Sequence, residues 1–433
     1  MDKKLEHAKE LIDFIYDSPS AFHVVDNVNK LLMRCGYLQL NESEKWNLIK
    51  GGKYFVEKND SALIAFVVGE KPACDDGFKI IGAHTDSPTF KVKPFPEINV
   101  EKQYLKLNTE VYGGPILNTW FDRPLSIAGR VTVKSSNSFY PISKLVNIKR
   151  PILIIPNLAI HMNREVNSGI KLNKQKDMLP LLSMLNKTMQ NDSMLMKLIS
   201  KEINVDVQDI LDFDLYLYEF EKGCIMGLNN EFISSGRLDD LSMVHSGIKA
   251  LSESKPGNST NVMVCFDNEE VGSTTKQGAN SPFLSSTLER IVLANKGTRE
   301  DYFRALSNSF MISCDSAHAM HPNYIEKADP VNRPLINKGP VIKLSASQSY
   351  ATDSISSSIY EMVCNSAQVP VQKFVNRSDE RGGSTIGPIC ASHVNIRCVD
   401  MGTPLLAMHS VRELGGVDDQ YYAFSSFEEF YKK

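Results

Sequence analysis

Residues 78–86 read Phe78-Lys79-Ile80-Ile81-Gly82-Ala83-His84-Thr85-Asp86, a short apolar run that breaks abruptly into reactive groups. The pattern returns twice. Val262-Met263-Val264-Cys265-Phe266 runs into Asp267-Asn268-Glu269-Glu270, and Phe310-Met311-Ile312-Ser313 runs into Cys314-Asp315-Ser316-Ala317-His318. Runs this short and this continuously apolar predict strands covered on both faces. Apolar residues at helical spacing lie between them, Leu241, Val244, Ile248 and Leu251, then Ile355, Ile359 and Val363; these predict the covering helices. The expected fold class is therefore an α/β sandwich. In open α/β sheets ligands bind beyond the carboxyl ends of the strands, which is where these His, Asp and Glu residues fall.

Between Asp86 and Asp239 the character changes. Strand-like runs occupy Tyr104 to Val111, Ile127 to Val133 and Ile152 to Ile155, and a polar helical segment is expected around Leu181 to Ile203. Residues 92–231 are read as an inserted second domain, leaving 1–91 and 232–433 to form the first. A chain of 433 residues exceeds the usual single-domain size, in keeping with that division.

Composition excludes several classes of function. Apolar residues make up 42% and charged residues 23%, as in ordinary globular chains. Lys plus Arg number 48 against 51 Asp plus Glu, with no block of like charge, so nucleic acid is not an expected partner. The longest apolar stretches, such as Pro151 to Pro156, fall far short of the ~20 residues a membrane helix needs. The opening Met1-Asp2-Lys3-Lys4 leads into an amphipathic pattern at Leu5, Ala8, Ile12 and Ile15, unlike a signal peptide. Eight cysteines without a C-x-x-C pair fit free thiols in a reducing cytoplasm.

His84 and Asp86, two apart at a strand end, could form a ligating imidazole whose tautomer a carboxylate fixes; taken alone they could equally be a loop His with a local partner. Glu269 and Glu270 emerge side by side, which is costly unless a cation or a proton separates their roles. Metal ligation by one and base duty for the other resolves that cost, whereas a solvated acidic loop is the plain alternative. Asp239 and Asp240 head the Leu241 helix, where Asp240 reads most simply as an N-cap. Asp315, His318 and His321 follow the third strand, and His409 closes Leu405-Leu406-Ala407-Met408. Taken jointly, imidazoles and carboxylates without thiolates describe a site for Zn²⁺, Mn²⁺ or Co²⁺. They suggest a two-metal hydrolase.

Six motifs carry a resemblance: Gly82-Ala83-His84-Thr85-Asp86-Ser87-Pro88, Gly236-Arg237-Leu238-Asp239-Asp240, Asp267 to Ser273, Cys314 to Asn323, Gly339-Pro340-Val341-Ile342-Lys343 and Ala407-Met408-His409-Ser410. In this order, and nearly end to end, the chain resembles the aspartyl aminopeptidase family of co-catalytic di-zinc exopeptidases. The resemblance implies a three-layer α/β sandwich with a mixed, mostly parallel sheet, plus an inserted β-rich dimerisation domain at 92–231. It implies two zinc ions per subunit, with Mn or Co as substitutes. Asp239 would bridge them, His84 and Asp315 would complete one sphere, and Glu270 and His409 the other. Glu269 would be the general base and Asp86 would orient His84.

By the same resemblance, dimers would assemble into a dodecamer that admits peptides, and His161 would enter a neighbouring subunit's active site to support the oxyanion. Direct metal contact by His161, or a plain turn position, are the alternatives. His318, Lys343, Tyr350, Gly382 and Gly383 would contact substrate. Lys343 matches a residue that pairs with an acidic first side chain, while Ser349 stands where acid-specific relatives carry Arg. The implied activity is zinc-dependent removal of N-terminal residues from peptides. Another hydrolase of the clan, such as a carboxypeptidase, deacylase or aminoacylase, is the nearer alternative, and a scaffold with an idle site the further one.

Overall fold

The computed structural model describes residues 3–185, 193–380 and 382–433. The chain divides into two compact units. One comprises Met1–Asp86, Gly223–Met408 and Glu413–Lys433, the other Ser87–Lys222 and His409–Arg412. The second unit thus begins and ends a few residues before the expected 92 and 231, and it also takes in a short return segment that the sequence did not mark.

The first unit is built on a nine-stranded sheet. In spatial order its strands are Leu38–Gln39, Lys53–Lys58, Ala62–Val67, Thr260–Phe266, Phe78–His84, Phe310–Cys314, Arg397–Gly402, Val341–Lys343 and Gln372–Phe374. The central four run parallel; antiparallel pairings occur on either side of them. Side chains alternate across a strand, so each central run supplies two cores. Ile81, Ala83, Met263, Cys265, Ile312 and Cys314 enter one, packed under the helices Lys3–Asp17, Ala21–Arg34, Leu238–Glu253, Ser354–Ser366 and Val417–Lys432. Phe78, Ile80, Val262, Val264, Phe266 and Met311 enter the other, with Phe283–Ala294, Arg299–Ser307 and Ile386–Val394. Three layers result because the strands have no polar face to leave in water. A smaller five-stranded sheet joins Cys224–Met226, Phe232–Ser235, Glu413–Gly416, Pro404–Leu406 and Ala317–His318.

Helical spacing misplaced one face. Ile355 is exposed, and the Ser354–Ser366 helix buries Ser356, Ser357, Tyr360, Val363 and Cys364 instead. Tyr360 supplies the largest side chain on that stripe, and its hydroxyl is satisfied at 2.9 Å from Ser426 Oγ.

The second unit is a six-stranded antiparallel sheet ordered Ile142–Asn147, Leu125–Val133, Ile210–Glu219, Thr89–Val100, Tyr104–Tyr112 and Leu181–Met184. Its core gathers Phe90, Leu107, Trp120, Ile127, Leu215 and, from the helix Met194–Ile203, Leu195 and Ile199. Two expectations are corrected. Ile152 to Ile155 makes only isolated bridges to Phe121, Leu125 and Leu181, because Pro151 and Pro156 flank it and supply no N–H. Leu181 to Ile203 opens with the strand Leu181–Met184 and closes with the helix Met194–Ile203; residues 186–192 lie outside the described residues.

His7 and His245 pack together between helices of the first unit, ring centroids 5.0 Å apart, with the Phe424 ring 5.1 Å from that of His7. Burial, reinforced by the charge of Lys249, lowers the His7 pKa to about 3, and burial likewise lowers that of His245. Between pH 6.5 and 3 the unfolded chain therefore binds more protons than the folded one, so stability is complete above that window and is lost as pH falls through it. From pH 7 to 5, His7 alone is expected to cost about 2 kcal/mol. Urea unfolding of His7→Phe should show a correspondingly shallower loss; an unchanged pH slope would count against this.

Candidate metal centre

Each sequence-flagged strand delivers its polar end to one place. His84 closes Phe78–His84, and its neighbour Thr260–Phe266 leads through Asp267 and Asn268 into the 3-10 turn Glu269–Val271. Phe310–Cys314, the neighbour on the other side, is followed directly by Asp315. Asp239 arrives from the first turn of the helix Leu238–Glu253, where Asp239 and Asp240 depart from helical dihedrals.

Asp86 organises the near side. His84 Nδ1 lies 3.3 Å from Asp86 Oδ1 and 3.1 Å from the Asp86 carbonyl oxygen. The other nitrogen, Nε2, is 3.6 Å from Asp239 Oδ1, as two ligands of a common ion require. The Asp86 carboxylate also accepts the backbone N–H of Glu269 and of Glu270, each at 3.1 Å. One buried side chain therefore fixes the imidazole and the paired glutamates together.

Asp240 is not the helix cap the sequence implied. Its Oδ2 accepts the backbone N–H of His84 at 3.2 Å, a contact spanning 156 residues. Glu413, which the sequence did not single out, accepts the N–H of Asp239 at 3.0 Å and is itself buried. Lys343 Nζ donates to Asp315 Oδ1 at 2.9 Å and stands 5.4 Å from the centroid of the Tyr350 ring.

Electrostatics favour a cation here. Burial opposes a protonated His84, yet the carboxylates of Asp239 and Asp86 outweigh it and hold its pKa well above the usual value. Burial, with Asp239 and Asp315, raises Asp240 despite His84. Burial raises Glu269 to about 8, with Asp315, Asp86 and Asp239 adding to the shift and His84 opposing it. Burial lowers the Lys343 pKa, but Asp315 and Tyr350 outweigh it, so the ammonium persists. Crowded acids of this kind need protons or positive charge to coexist.

Ligand atoms of His84, Glu269 and Asp315 lie within 4.8 Å of one another, and so do those of His84, Asp239 and Asp240. An Asp239 and a Glu270 oxygen are likewise within 4.8 Å. Asp240 Oδ1 is buried without a hydrogen-bond partner. Imidazole with carboxylates and no thiolate is a donor set that fits zinc.

His409 and His161 belong to the second unit; His409 Nδ1 is 3.1 Å from the Gly114 carbonyl oxygen, and His161 is exposed on the turn Ile160–Met162. Tyr350 is buried, whereas His318, Gly382 and Gly383 are exposed.

Residues 14–431 match the family described as aminopeptidase I zinc metalloprotease, M18. The chain belongs to the M18 family. A probable M18 family aminopeptidase 2 from Clostridium acetobutylicum is 64% identical over 431 residues, covering 100% of both chains, and its counterpart from Clostridium novyi is 63% identical over the same span. Among solved structures, a chain of the cryo-EM structure of the Ape4 and Nbr1 complex superposes with a TM-score of 0.95 at 37% identity, over 99% of this chain and 86% of that one. A chain of the S. cerevisiae mApe1 dodecamer gives 0.86 at 29% identity, covering 98% and 96%. This M18 chain is thus a zinc metalloaminopeptidase, a hydrolase, with the mixed α/β architecture of its relatives. No described helix is long and apolar enough to cross a membrane.

Proposed function

We propose that this aminopeptidase holds two zinc ions per chain through His84, Asp239, Glu270, Asp315 and His409, with Asp239 shared, and removes N-terminal residues from peptides, acidic ones among them. The observation that carries the reading is the convergence of His84, Asp239, Glu269 and Asp315 from distant parts of the sequence. Mn or Co would substitute in the same oxygen and nitrogen donors. When bound, the ions supply Lewis acidity and a water acidic near neutral pH.

Glu269 takes the proton from the attacking water and returns it to the leaving amine, a role suited to a carboxyl whose pKa is raised towards neutrality. Asp86 keeps His84 Nε2 directed at Asp239 and holds the Glu269 and Glu270 backbone in place. Tyr350, His318 and the Gly382-Gly383 backbone contact the peptide, and Lys343, charged beside Asp315, is the group that would meet an acidic side chain. His161 of a neighbouring copy supports the oxyanion. The unit Ser87–Lys222 mediates dimers that build a dodecamer, the assembly of the similar mApe1. Eight free thiols, five of them buried, suit a reducing cytoplasm.

Hydrolysis of aminoacyl fluorogenic amides tests the reading. Free-amine substrates should be cleaved, N-acetylated ones ignored, and activity should vanish on chelation. Turnover of the acetylated series would instead indicate a deacylase or carboxypeptidase. In the same assay His161→Ala should lower kcat by about 10²–10³ with zinc retained; loss of zinc would make His161 a ligand.

A further inference from the structure

The strand Arg397–Gly402 carries one carboxylate in its interior. Asp400 is fully buried and pairs in register with Ser313 of the adjacent parallel strand. A charge in that position is retained only if donors surround it, and they do. Asp400 Oδ1 accepts the hydroxyls of Ser313 and Thr385, each at 2.6 Å, and Oδ2 accepts the backbone N–H of Ala351 at 2.6 Å. Its own N–H donates to Thr352 Oγ1 at 2.9 Å. A Cβ at Gly387 would collide with the carboxylate, so the close approach of the helix Ile386–Val394 needs glycine there.

What these donors have in common is their position in the chain. Ser313 lies two residues before Asp315, Ala351 directly follows Tyr350, and Thr385 comes two residues after Gly383. A single carboxylate therefore fastens the Tyr350 loop and the Gly382-Gly383 loop to the strand that ends in a candidate zinc ligand. Lys343 closes the circuit from the other side, bonded to Asp315 and set against the Tyr350 ring.

We propose that Asp400 is a positioning residue for substrate: by tying these two loops to the Asp315 strand it holds the wall against which the peptide binds. The inference rests on the aminopeptidase reading above. Asp400 touches neither metal nor substrate; it acts through Tyr350 and the Gly382-Gly383 backbone, so its removal should weaken binding more than chemistry.

Asp400→Asn tests this with little change in volume. The Asn oxygen can still take the Ala351 N–H, and the amide can donate to the two hydroxyls, which are able to accept. The charge-assisted strength of all three bonds is lost. On an aminoacyl amide, KM is expected to rise about tenfold, with kcat within about threefold of the parent and zinc content unchanged. Thr385→Val removes one donor and keeps the shape; KM should rise about threefold and Thr385→Ser should restore it. If Asp400→Asn does not fold, the Thr385 pair decides. An unaltered KM in the folded variants, or a fall in kcat without a rise in KM, overturns the inference. Failure of the parent to cleave any free-amine substrate would overturn the functional reading instead, so the two are separable.

Discussion

Glu269→Gln is expected to lower kcat by about 10²–10⁴ while zinc content stays at the parental level. The backbone N–H of Glu269 is held by Asp86 and does not depend on the side chain, so the turn Glu269–Val271 should persist. What changes is proton transfer. Half-buried among Asp315, Asp86 and Asp239, the carboxyl is raised to about 8 by desolvation and these neighbours, against the pull of His84. Positive charge at the centre draws it back towards neutrality, where a base and its conjugate acid are both useful within one turnover. Glutamine keeps the size and cannot exchange the proton. Steady-state kinetics with elemental analysis decide the matter: near-parental kcat would remove Glu269 from the mechanism, and zinc loss would make it a ligand.

Asp239→Asn should act on the metal itself. Asp239 Oδ1 is 3.6 Å from His84 Nε2, and the carboxylate also comes within ligand range of Asp240 and Glu270. No other side chain is shared by both groups of donors in the proposed arrangement. A neutral amide is a poorer zinc donor than a carboxylate, and even supporting partners of a metal site are worth 10–100-fold in affinity, so a loss of at least about 100-fold is expected. Activity should fall with it. The Asp239 N–H bond to Glu413 and the packing of Leu238 and Leu241 do not involve the carboxylate, so the variant should remain folded. Chelator competition measures the affinity, and parental zinc binding would exclude Asp239 as a shared ligand.

The parts of the fold that were legible share a physical cause. Phe78 to Ala83, Val262 to Phe266 and Phe310 to Ser313 are apolar on both faces because two cores claim them, and that leaves an unmistakable run in one dimension. Strand order was not legible, since the sheet places Thr260–Phe266 between Ala62–Val67 and Phe78–His84 through pairings nearly 200 residues apart. Helical spacing failed at Ile355 because polar Ser356 and Ser357 lie on the buried stripe.

At the site, His84, Glu269 and Asp315 are legible from the strands they follow and Asp239 from the head of its helix, whereas partnerships across the chain are not. Asp240 looked like a cap because its true partner, the His84 N–H, is far away in sequence. Glu413 follows Arg412 and gave no signal of burial; its bond to Asp239 spans 174 residues. Asp400 did leave one, a lone carboxylate within Cys398-Val399-Asp400-Met401-Gly402, where an apolar strand has no reason to hold a charge. Such an interruption deserved the weight given to strand ends.

In the proposed site, carboxylates and two histidines from distant parts of this chain hold a pair of catalytic cations. Zinc bound per chain, measured by elemental analysis on dialysed protein alongside activity during stepwise chelation, decides whether they do. Two equivalents of zinc, with turnover lost as they are withdrawn and regained on readdition, is the predicted result; protein that binds no divalent ion, or that hydrolyses peptides unchanged after complete chelation, would contradict it.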